Sequence, residues 1–280
     1  MSEPASSPFT PGAGREEGSP ARHDSDPAGP PAGGASLDLD RPTALRLLGE
    51  GELEIRGRLV DASNATLYCA VRLRCPPPEP PIVGACIYKP ARGERPLHDF
   101  PDGTLAKREV AAYLVSAASG LDIVPPTVLR DGPFGPGMVQ LWIDVDGRVD
   151  VVEMIRRADV RLRRIALFDA VVNNADRKGG HLLPTASGHV YGVDHGICFA
   201  AEPKLRTILW QWRGKALEPA EAALLARLLQ EVRGGLGRRL RALLSPGEVR
   251  ATEHRIDRLI ADGRFPHPDP ERPAIPWPPF

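Results

Sequence analysis

Two acidic residues stand at opposite ends of one short segment of the chain. Asp176 lies in a polar loop, Asn173 to His181, and Asp194 follows the second strand of a predicted hairpin. Such a hairpin holds one acid near a reacting hydroxyl group and the other near a metal ion. Phosphoryl transfer needs this pairing, because its catalysis consists mostly of positioning and charge neutralisation.

The elements that position these acids follow from apolar patterning. Apolar residues from Ile165 to Val172 recur with a period near 3.6, which predicts a helix that leads into the loop. Leu182–Leu183 and His189–Val193 read as two short strands, joined through Pro184 and Gly188. The helix and the hairpin therefore enclose the polar loop.

The loop concentrates amides, an acid, two bases and a histidine. Asp176 is placed to accept a proton from an attacking hydroxyl group or to orient it. Arg177 or Lys178 is placed to offset charge on a transferring phosphoryl group. The alternative is an ordinary turn, since Asn, Asp and Gly favour turns for conformational reasons alone.

Asp194 and His181 are the candidate metal ligands. An acid that leaves a buried strand needs a cation or several hydrogen-bond donors, and a divalent metal is one such cation. A backbone cap is the alternative for Asp194. Magnesium prefers oxygen ligands, so a histidine favours manganese or a water-mediated contact. A structural role, in which the ring bonds a loop carbonyl, is the alternative for His181 and also for His195.

Lys89 ends a short apolar strand, in a chain where only five of the 36 basic residues are lysines. A lysine in this place reaches the phosphates of a nucleotide, and Glu109 on the next helix is placed to hold it as an ion pair. The alternative is a surface lysine at a strand end and an ordinary exposed glutamate.

The remaining elements are predicted from alternation, helical periodicity and turn residues. Gly57 is predicted as a bulge in the first strand, and the turn after it places Ser63, Asn64 and Thr66 near phosphates. No P-loop, GxGxxG or zinc spacing occurs. The predicted elements are a helix over 42–48, strands over 52–60, 65–73, 82–89, 126–130 and 137–145, and helices over 102–119, 204–213 and 217–262, the last broken at Gly234–Gly235 and at 245–247.

This order of elements resembles the two-lobed protein-kinase-like fold. The chain is similar to the phosphatidylinositol 3-/4-kinase-like group, whose relatives include HipA-type bacterial kinases, and to a bacterial family of kinase-like proteins over about residues 40–262. Asn174-Ala-Asp176-Arg177 is similar to the N-x-D-R catalytic loop of type II phosphatidylinositol 4-kinases. Val193-Asp194-His195-Gly196 is similar to their metal-binding D-N-G.

The resemblance implies roles for individual residues. Lys89 would contact the phosphates of ATP with Glu109 as its partner, Asp176 would be the catalytic aspartate, and Asp194 would bind Mg²⁺ or Mn²⁺. The strand Met138–Val145 would lead into the segment that holds adenine. The residues near adenine would then be Gln140, Leu141 and Trp142.

We therefore expect an α+β fold with a small antiparallel-sheet N-lobe and a mainly helical C-lobe. The expected divisions are a disordered tail over 1–37, the N-lobe over 38–146, the C-lobe over 147–262 and a proline-rich tail over 263–280, extended over the surface or in solvent. The expected function is an ATP-dependent phosphotransferase with a protein, small-molecule or lipid head-group acceptor.

The alternative is a pseudokinase that acts by binding nucleotide or partners. Related kinases have asparagine where His181 stands, and the phosphate loop lacks their glycines. Either difference indicates an altered metal preference or a loss of transfer activity.

Composition limits the other classes of function. The formal net charge is +0, which argues against nucleic-acid binding. No run of 18 apolar residues exists, and the start of the chain lacks the pattern of a secretory signal. The four cysteines form no CxxC pair, so we expect reduced thiols and a cytoplasmic protein. The excess of arginine over lysine suggests a bacterial source.

Overall fold

The computed structural model describes residues 39–59 and 64–280. The predicted tail over 1–37 and Ser63 lie outside the described residues. The helices and strands are, in chain order, α1 (Arg41–Glu50), β1 (Glu52–Arg58), β2 (Leu67–Leu73), β3 (Ile82–Pro90), α2 (Leu105–Ser119), β4 (Thr127–Gly132), β5 (Gly135–Leu141), α3 (Val151–Arg156), α4 (Val160–Val172), β6 (Leu182–Pro184), β7 (Val190–Gly192), α5 (Pro219–Arg233), α6 (Gly235–Leu240) and α7 (Pro246–Asp262).

The first five strands form one antiparallel sheet in the order β1-β2-β3-β5-β4. The predicted meander of β1, β2 and β3 is confirmed, and the register of β1 on β2 shifts between Ile55 and Gly57, where the bulge is predicted. Strand β5 ends at Leu141, earlier than the predicted end at Val145. The chain still runs beside β3 at Trp142, because the N–H of Trp142 donates to the carbonyl of Ala85 at 3.0 Å.

Helix α2 lies between the sheet and the helical part of the protein. Its residues Ala106 and Val110 pack with Tyr68, Ile87 and Met138 of the sheet. The segment from Ala111 to Val115 belongs instead to the core that α2 shares with α4, α5 and α7. Gly120 ends the helix with a φ of 73°, a conformation that glycine adopts without steric cost. A side chain on α2 can thus reach both parts of the structure.

The helical part has α4 at its centre. Leu162, Ile165, Phe168 and Val172 are all almost fully buried, as the helical periodicity predicts. Asn173 caps the helix in the left-handed conformation, and the polar loop begins there. Strands β6 and β7 form the predicted hairpin. Residues 219–262 are helical apart from breaks at Gly234, as predicted, and at 241–245, mostly before the predicted break over 245–247 because Pro246 begins α7.

The predicted helix over 204–213 is wrong. Only Trp210–Trp212 form a single helical turn, although Leu209 and Trp212 are buried as the pattern indicates. The backbone of this segment pairs with the polar loop instead. The N–H of Arg206 donates to the carbonyl of Asn174 at 2.9 Å, and the N–H of Arg177 donates to the carbonyl of Arg206 at 3.1 Å. These bonds use backbone groups that a helix would have paired internally.

The proline-rich segment after α7 runs over the surface of the helical part. Phe265 is buried, and the carbonyl of Ala274 accepts hydrogen bonds from the N–H of Thr207 and from the indole of Trp210. The carbonyl of Pro279 accepts from the N–H of Gly179 at 2.8 Å. Of the two alternatives for this segment, the structure shows the surface-bound one.

The expected α+β class, with an antiparallel sheet followed by mainly helical structure, is confirmed. The boundaries of the two lobes stay predictions. Within the described ranges, no helix combines the length and the apolar character that a membrane crossing requires. Cys69, Cys86 and Cys198 are buried free thiols, and Cys75 is partly buried and also free.

Candidate active site

Lys89 stands at the end of β3, where it pairs with Met138 of the neighbouring strand. Its ammonium group contacts two carboxylates: Nζ lies 2.8 Å from Oε1 of Glu109 and 3.1 Å from Oδ1 of Asp194. The side chain is only 19% exposed. Burial lowers the pKa of Lys89, but attraction to Asp194 and Glu109 outweighs it and the pKa is raised, so the lysine stays charged. Three predicted site residues, separated widely in sequence, therefore meet at one point.

Glu109 is buried on α2 and is 2% exposed. Its Oε1 holds Lys89, and its Oε2 accepts a hydrogen bond from the backbone N–H of His195 at 2.8 Å. The alternative of an ordinary exposed glutamate is thus wrong. One carboxylate joins the sheet to the segment that follows the hairpin.

Asp194 leaves β7 in the left-handed conformation, with a φ of 59°. Aspartate tolerates this conformation better than most side chains. Its carboxylate is 43% exposed; Oδ1 faces Lys89, and Oδ2 lies 3.4 Å from Nε2 of His181. The charge of Lys89 holds the pKa of Asp194 well below its usual range, so the group is ionised. Asp194 is therefore an accessible anion with one cation already beside it.

His181 is held by its own loop. The N–H of Lys178 donates to Nδ1 of the ring at 3.3 Å, which leaves Nε2 directed at Asp194. Burial lowers the pKa of His181 to about 4, so the imidazole is neutral at pH 7. With Nδ1 accepting a hydrogen bond, the neutral ring carries its proton on Nε2. In this tautomer the N–H of Nε2 is the ring group nearest Asp194, with Nε2 at 3.4 Å from Oδ2.

Asp194 and His181 fit a divalent metal as part of its ligand set. Among residues 39–59 and 64–280, no group of three or more His, Cys, Asp or Glu side chains is placed to hold a metal. Mg²⁺ is commonly bound by one or two carboxylates together with substrate phosphates and water. An ionised, partly exposed Asp194 meets that requirement. Ligation by Nε2 of His181 requires that the ring proton move to Nδ1 and that the bond to Lys178 be lost.

Asp176 lies in the loop after α4. Its N–H donates to the side-chain oxygen of Asn174 at 2.9 Å, which shapes the turn. Its carboxylate lies 3.3 Å from Nζ of Lys178 and 3.7 Å from Nη2 of Arg206, and it is 18% exposed. Burial raises the pKa of Asp176 despite the attraction of Lys178. A carboxylate with a raised pKa is a stronger base than a free aspartate.

Arg177 does not point into the site. Its side chain is 0% exposed and forms an ion pair with the equally buried Asp169 of α4 at 2.9 Å. It also donates to the carbonyl of Val193 at 2.8 Å and contacts Nε2 of His195 at 2.6 Å. The structure thus corrects the expectation of a phosphate contact: Arg177 joins α4 to the residues that precede Asp194.

Asp169 is a site component that the sequence analysis missed. It accepts hydrogen bonds from Asn174 and Arg177, and so holds both ends of the motif around Asp176. An acid within the apolar stretch from Ile165 to Val172 was the available sign, because a buried carboxylate needs a partner.

The predicted nucleotide residues outside this cluster are engaged elsewhere. The side-chain oxygen of Asn64 accepts from the N–H of Arg95, and Thr66 is buried. Gln140 is buried and donates to the hydroxyl of Thr127 at 2.9 Å. Leu141 pairs with Cys86 in the sheet, and the ring of Trp142 packs edge-on against Tyr68 at 4.9 Å. Within the described part of the chain, no recorded contact joins them to Lys89 or Asp194.

Several known proteins are similar to this chain to different degrees. The chain is 29% identical over 136 residues to phosphatidylinositol 4-kinase gamma 4 of Oryza sativa subsp. japonica. This match covers 42% of this chain and 24% of that protein. A Helicobacter pylori proinflammatory kinase, CtkA, matches with a TM-score of 0.43 and 10% identity over 78% of this chain and 94% of that chain. No protein-family model matches.

The α+β fold and the sequence likeness over 136 residues to a phosphatidylinositol kinase support a kinase-like protein. The chain is also 40% identical over 269 residues to protein Rv2133c of Mycobacterium tuberculosis (strain ATCC 25618 / H37Rv), across 84% of this chain and 94% of that protein. It belongs to the same family as Rv2133c.

Proposed function

We propose that the protein is an ATP-dependent phosphotransferase of the phosphatidylinositol-kinase-like type. The observation that carries the proposal is the position of Lys89 Nζ between Glu109 and Asp194, at 2.8 Å and 3.1 Å. A partly buried lysine held by one carboxylate, beside a second carboxylate that is partly exposed, suits the binding of nucleotide phosphates next to a metal ion.

Asp194, with His181 beside it, would hold Mg²⁺ or Mn²⁺. When bound, such an ion neutralises charge on the phosphates of ATP. Glu109 keeps Lys89 in place from the buried side, so the ammonium group does not need to be ordered when ATP binds.

Asp176 is the proposed general base, and Lys178 beside it would offset charge on the phosphoryl group. In the proposed reaction, the acceptor hydroxyl gives its proton to Asp176. The acceptor oxygen forms a bond to the γ-phosphorus as the bond to the β–γ bridging oxygen breaks, and ADP leaves. The raised pKa of Asp176 supports the proton transfer, because a stronger base takes the proton more readily.

Adenine would lie at the end of β5 near Gln140, Leu141 and Trp142, where the chain leaves for the helical part. Ser63, Asn64 and Thr66 remain the proposed phosphate-side turn. The acceptor is a hydroxyl on a protein, a small molecule or a lipid head group.

Conversion of ATP to ADP, followed with Mg²⁺ and with Mn²⁺, tests the proposal. We expect slow metal-dependent turnover in the wild type, with water as acceptor, and its loss in Asp176→Asn and in Asp194→Asn. Asp102→Asn is the matched control, since Asp102 is exposed in a turn before α2. If the Asp176 and Asp194 variants turned over ATP as the control does, the site assignment would be wrong.

A pseudokinase is the second candidate, favoured by the 3.4 Å contact between Nε2 of His181 and Oδ2 of Asp194. That contact occupies one oxygen of the metal-binding carboxylate. Under this alternative, ATP binds and Lys89→Met weakens its binding, yet no ADP forms with either metal.

A further inference from the structure

A cavity of about 1000 Å³ lies beside the polar loop and is distinct from the cluster around Lys89. Its walls come from Asn173 and Ala175 of the loop, the segment 203–206, one face of α7 and the segment 264–273. Small-molecule sites in proteins commonly have volumes of roughly 300–1000 Å³. The cavity is thus large enough to take a small molecule.

The lining is strongly basic. It contains six lysine or arginine side chains against three aspartates. Lys204 is paired with Asp99 at 2.8 Å, and Arg272 lies 3.7 Å from Asp269. The charged side chains that remain in the lining are four arginines and Asp262, so a ligand would meet a net positive charge.

Three lining arginines have no carboxylate within 4.0 Å among the residues that the structure describes: Arg255, Arg258 and Arg264. Arg255 donates only to neutral groups, the carbonyls of Val171 and Ala200 and the hydroxyl of Thr252. Burial lowers the pKa of Arg255 to about 10, so it remains a cation at pH 7. A desolvated cation with no carboxylate within 4.0 Å is energetically costly, and an anionic ligand would lower that cost.

Helix α7 presents this charge on one face. Its lining residues recur at the spacing of successive helical turns. They are Ala251, His254, Arg255, Arg258, Leu259 and Asp262. Arg258 is exposed and, within the described ranges, has no recorded hydrogen bond or ion pair, so its guanidinium is available to a ligand.

Apolar side chains form the rest of the wall. Phe100, Leu259 and Phe265 are buried, and Trp210 lines the same space. A ligand that combines an anionic group with an apolar body would be complementary to both parts of the lining.

Arg206 connects the cavity to the proposed catalytic base. It lines the cavity, its Nε donates to the carbonyl of Ala175 at 2.9 Å, and its Nη2 lies 3.7 Å from Oδ1 of Asp176. A molecule in the cavity therefore lies next to the loop that carries Asp176.

We propose that this cavity binds the acceptor, and that the acceptor carries a phosphate or carboxylate group held by Arg258 with Arg255 and Arg264. The proposal rests on the proposed phosphotransferase function, because it gives the cavity the role of an acceptor site. The recognised chemistry is a phosphate monoester or carboxylate attached to an apolar body, whether that body belongs to a free molecule or to a lipid.

Calorimetric titration of phenyl phosphate into the full-length protein tests the proposal. We expect binding that Arg258→Ala weakens about 10-fold, the usual effect of losing one charged hydrogen bond. Phenol, which lacks the anion, should bind far more weakly. Arg227→Ala is the matched control, since Arg227 is exposed on α5 and lies outside the cavity lining, and it should leave binding unchanged.

The same titration with Lys89→Ala separates this cavity from the nucleotide site. Binding retained in Lys89→Ala and weakened in Arg258→Ala supports the proposal. The proposal would be overturned if the wild type did not bind phenyl phosphate, if Arg258→Ala bound it as tightly as the wild type, or if Lys89→Ala lost the binding. ATP titrated into the same samples keeps the two proposals apart: if ATP binds and phenyl phosphate does not, only the cavity proposal fails.

Vesicles of phosphatidylcholine, with and without phosphatidic acid, identify the source of the anion. Arg258-dependent retention on the phosphatidic acid vesicles assigns the cavity to a lipid head group. Binding of phenyl phosphate without retention on vesicles assigns it to a free small molecule. Both results support the anionic site, and absence of both overturns it.

Discussion

The carboxylate of Glu109 accepts a hydrogen bond at 2.8 Å from the backbone N–H of His195, which lies 86 positions later in the chain. Its other oxygen holds Lys89 at the same distance. The sheet, the helix α2 and the segment after the hairpin thus meet at one buried side chain. The relative position of Lys89 and Asp194 depends on this contact.

Glu109→Ala should lower the free energy of unfolding by about 3 kcal/mol, since removal of one partner leaves the ammonium of Lys89 with Asp194 alone. Urea unfolding measures the loss. The control is Glu231→Ala, an exposed glutamate of α5, for which we expect a change within about 0.5 kcal/mol. An equal effect of the two substitutions would show that Glu109 carries no structural charge pair.

The buried pair of Arg177 and Asp169 should show strong coupling. Asp169→Leu or Arg177→Met alone leaves one charge buried without its partner, and each should cost about 3–5 kcal/mol. The double substitution should cost clearly less than the sum, because it leaves no unpaired charge. A double-mutant cycle by urea unfolding measures this coupling. The control is Arg156→Ala, in an exposed pair on α3, which should cost less than about 1 kcal/mol. Additive costs of the substitutions at Arg177 and Asp169 would show that the two side chains are not coupled.

Asp176→Asn should make the protein more stable at neutral pH. The pKa of Asp176 is raised in the folded protein, mainly by burial, so the ionised form is disfavoured there and destabilises the fold at pH values above that pKa. We expect a Tm higher by about 1–3 °C at pH 7.5. As the pH falls through the raised pKa, wild-type Asp176 becomes protonated and the advantage of the variant disappears.

Thermal unfolding between pH 8 and pH 4 measures this difference. Asp102→Asn, in the exposed turn, should leave Tm unchanged at every pH. A lower Tm for Asp176→Asn at pH 7.5 would show that the contacts with Lys178 and Arg206 outweigh the cost of burial.

His181→Asn should change the metal preference. Asparagine replaces an imidazole with a carbonyl oxygen, the ligand type that Mg²⁺ prefers. We expect the ratio of Mn²⁺-supported to Mg²⁺-supported ATP affinity to fall about 10-fold. ATP titrations with each metal measure it. His189→Asn is the control and should keep the wild-type ratio, because the ring of His189 bonds the carbonyl of Asp122 away from the cluster. An unchanged ratio in His181→Asn would show that the His181 ring serves only to orient Asp194.

The elements that carry the cluster could be predicted from the sequence, because they depend on local patterns. The apolar period of α4, the alternation in the strands, and Gly57 and Gly120 at their special positions each act within a few residues. The order of Lys89, Glu109, Asp176 and Asp194 along these elements could be read in the same way.

The parts that could not be predicted depend on distant partners. The segment over 204–213 has helical periodicity, yet its backbone bonds the polar loop, and no local pattern records that competition. Arg177 looks like a loop cation in sequence, and only the fold shows that Asp169 buries it. The basic cavity combines residues from several separate segments, so its charge is invisible in a chain with a formal net charge of +0.

The most direct test of the central claim is a calorimetric titration of ATP with Mg²⁺ and then with Mn²⁺. The proteins are the wild type, Lys89→Met and Asp194→Ala, with Lys107→Met as the control, because Lys107 is exposed on the same helix as Glu109. We expect ATP to bind the wild type only in the presence of a metal. Lys89→Met and Asp194→Ala should each weaken this binding about 10-fold or more, and Lys107→Met should leave it unchanged. Absence of binding with either metal, or undiminished binding in Lys89→Met, would contradict the central claim.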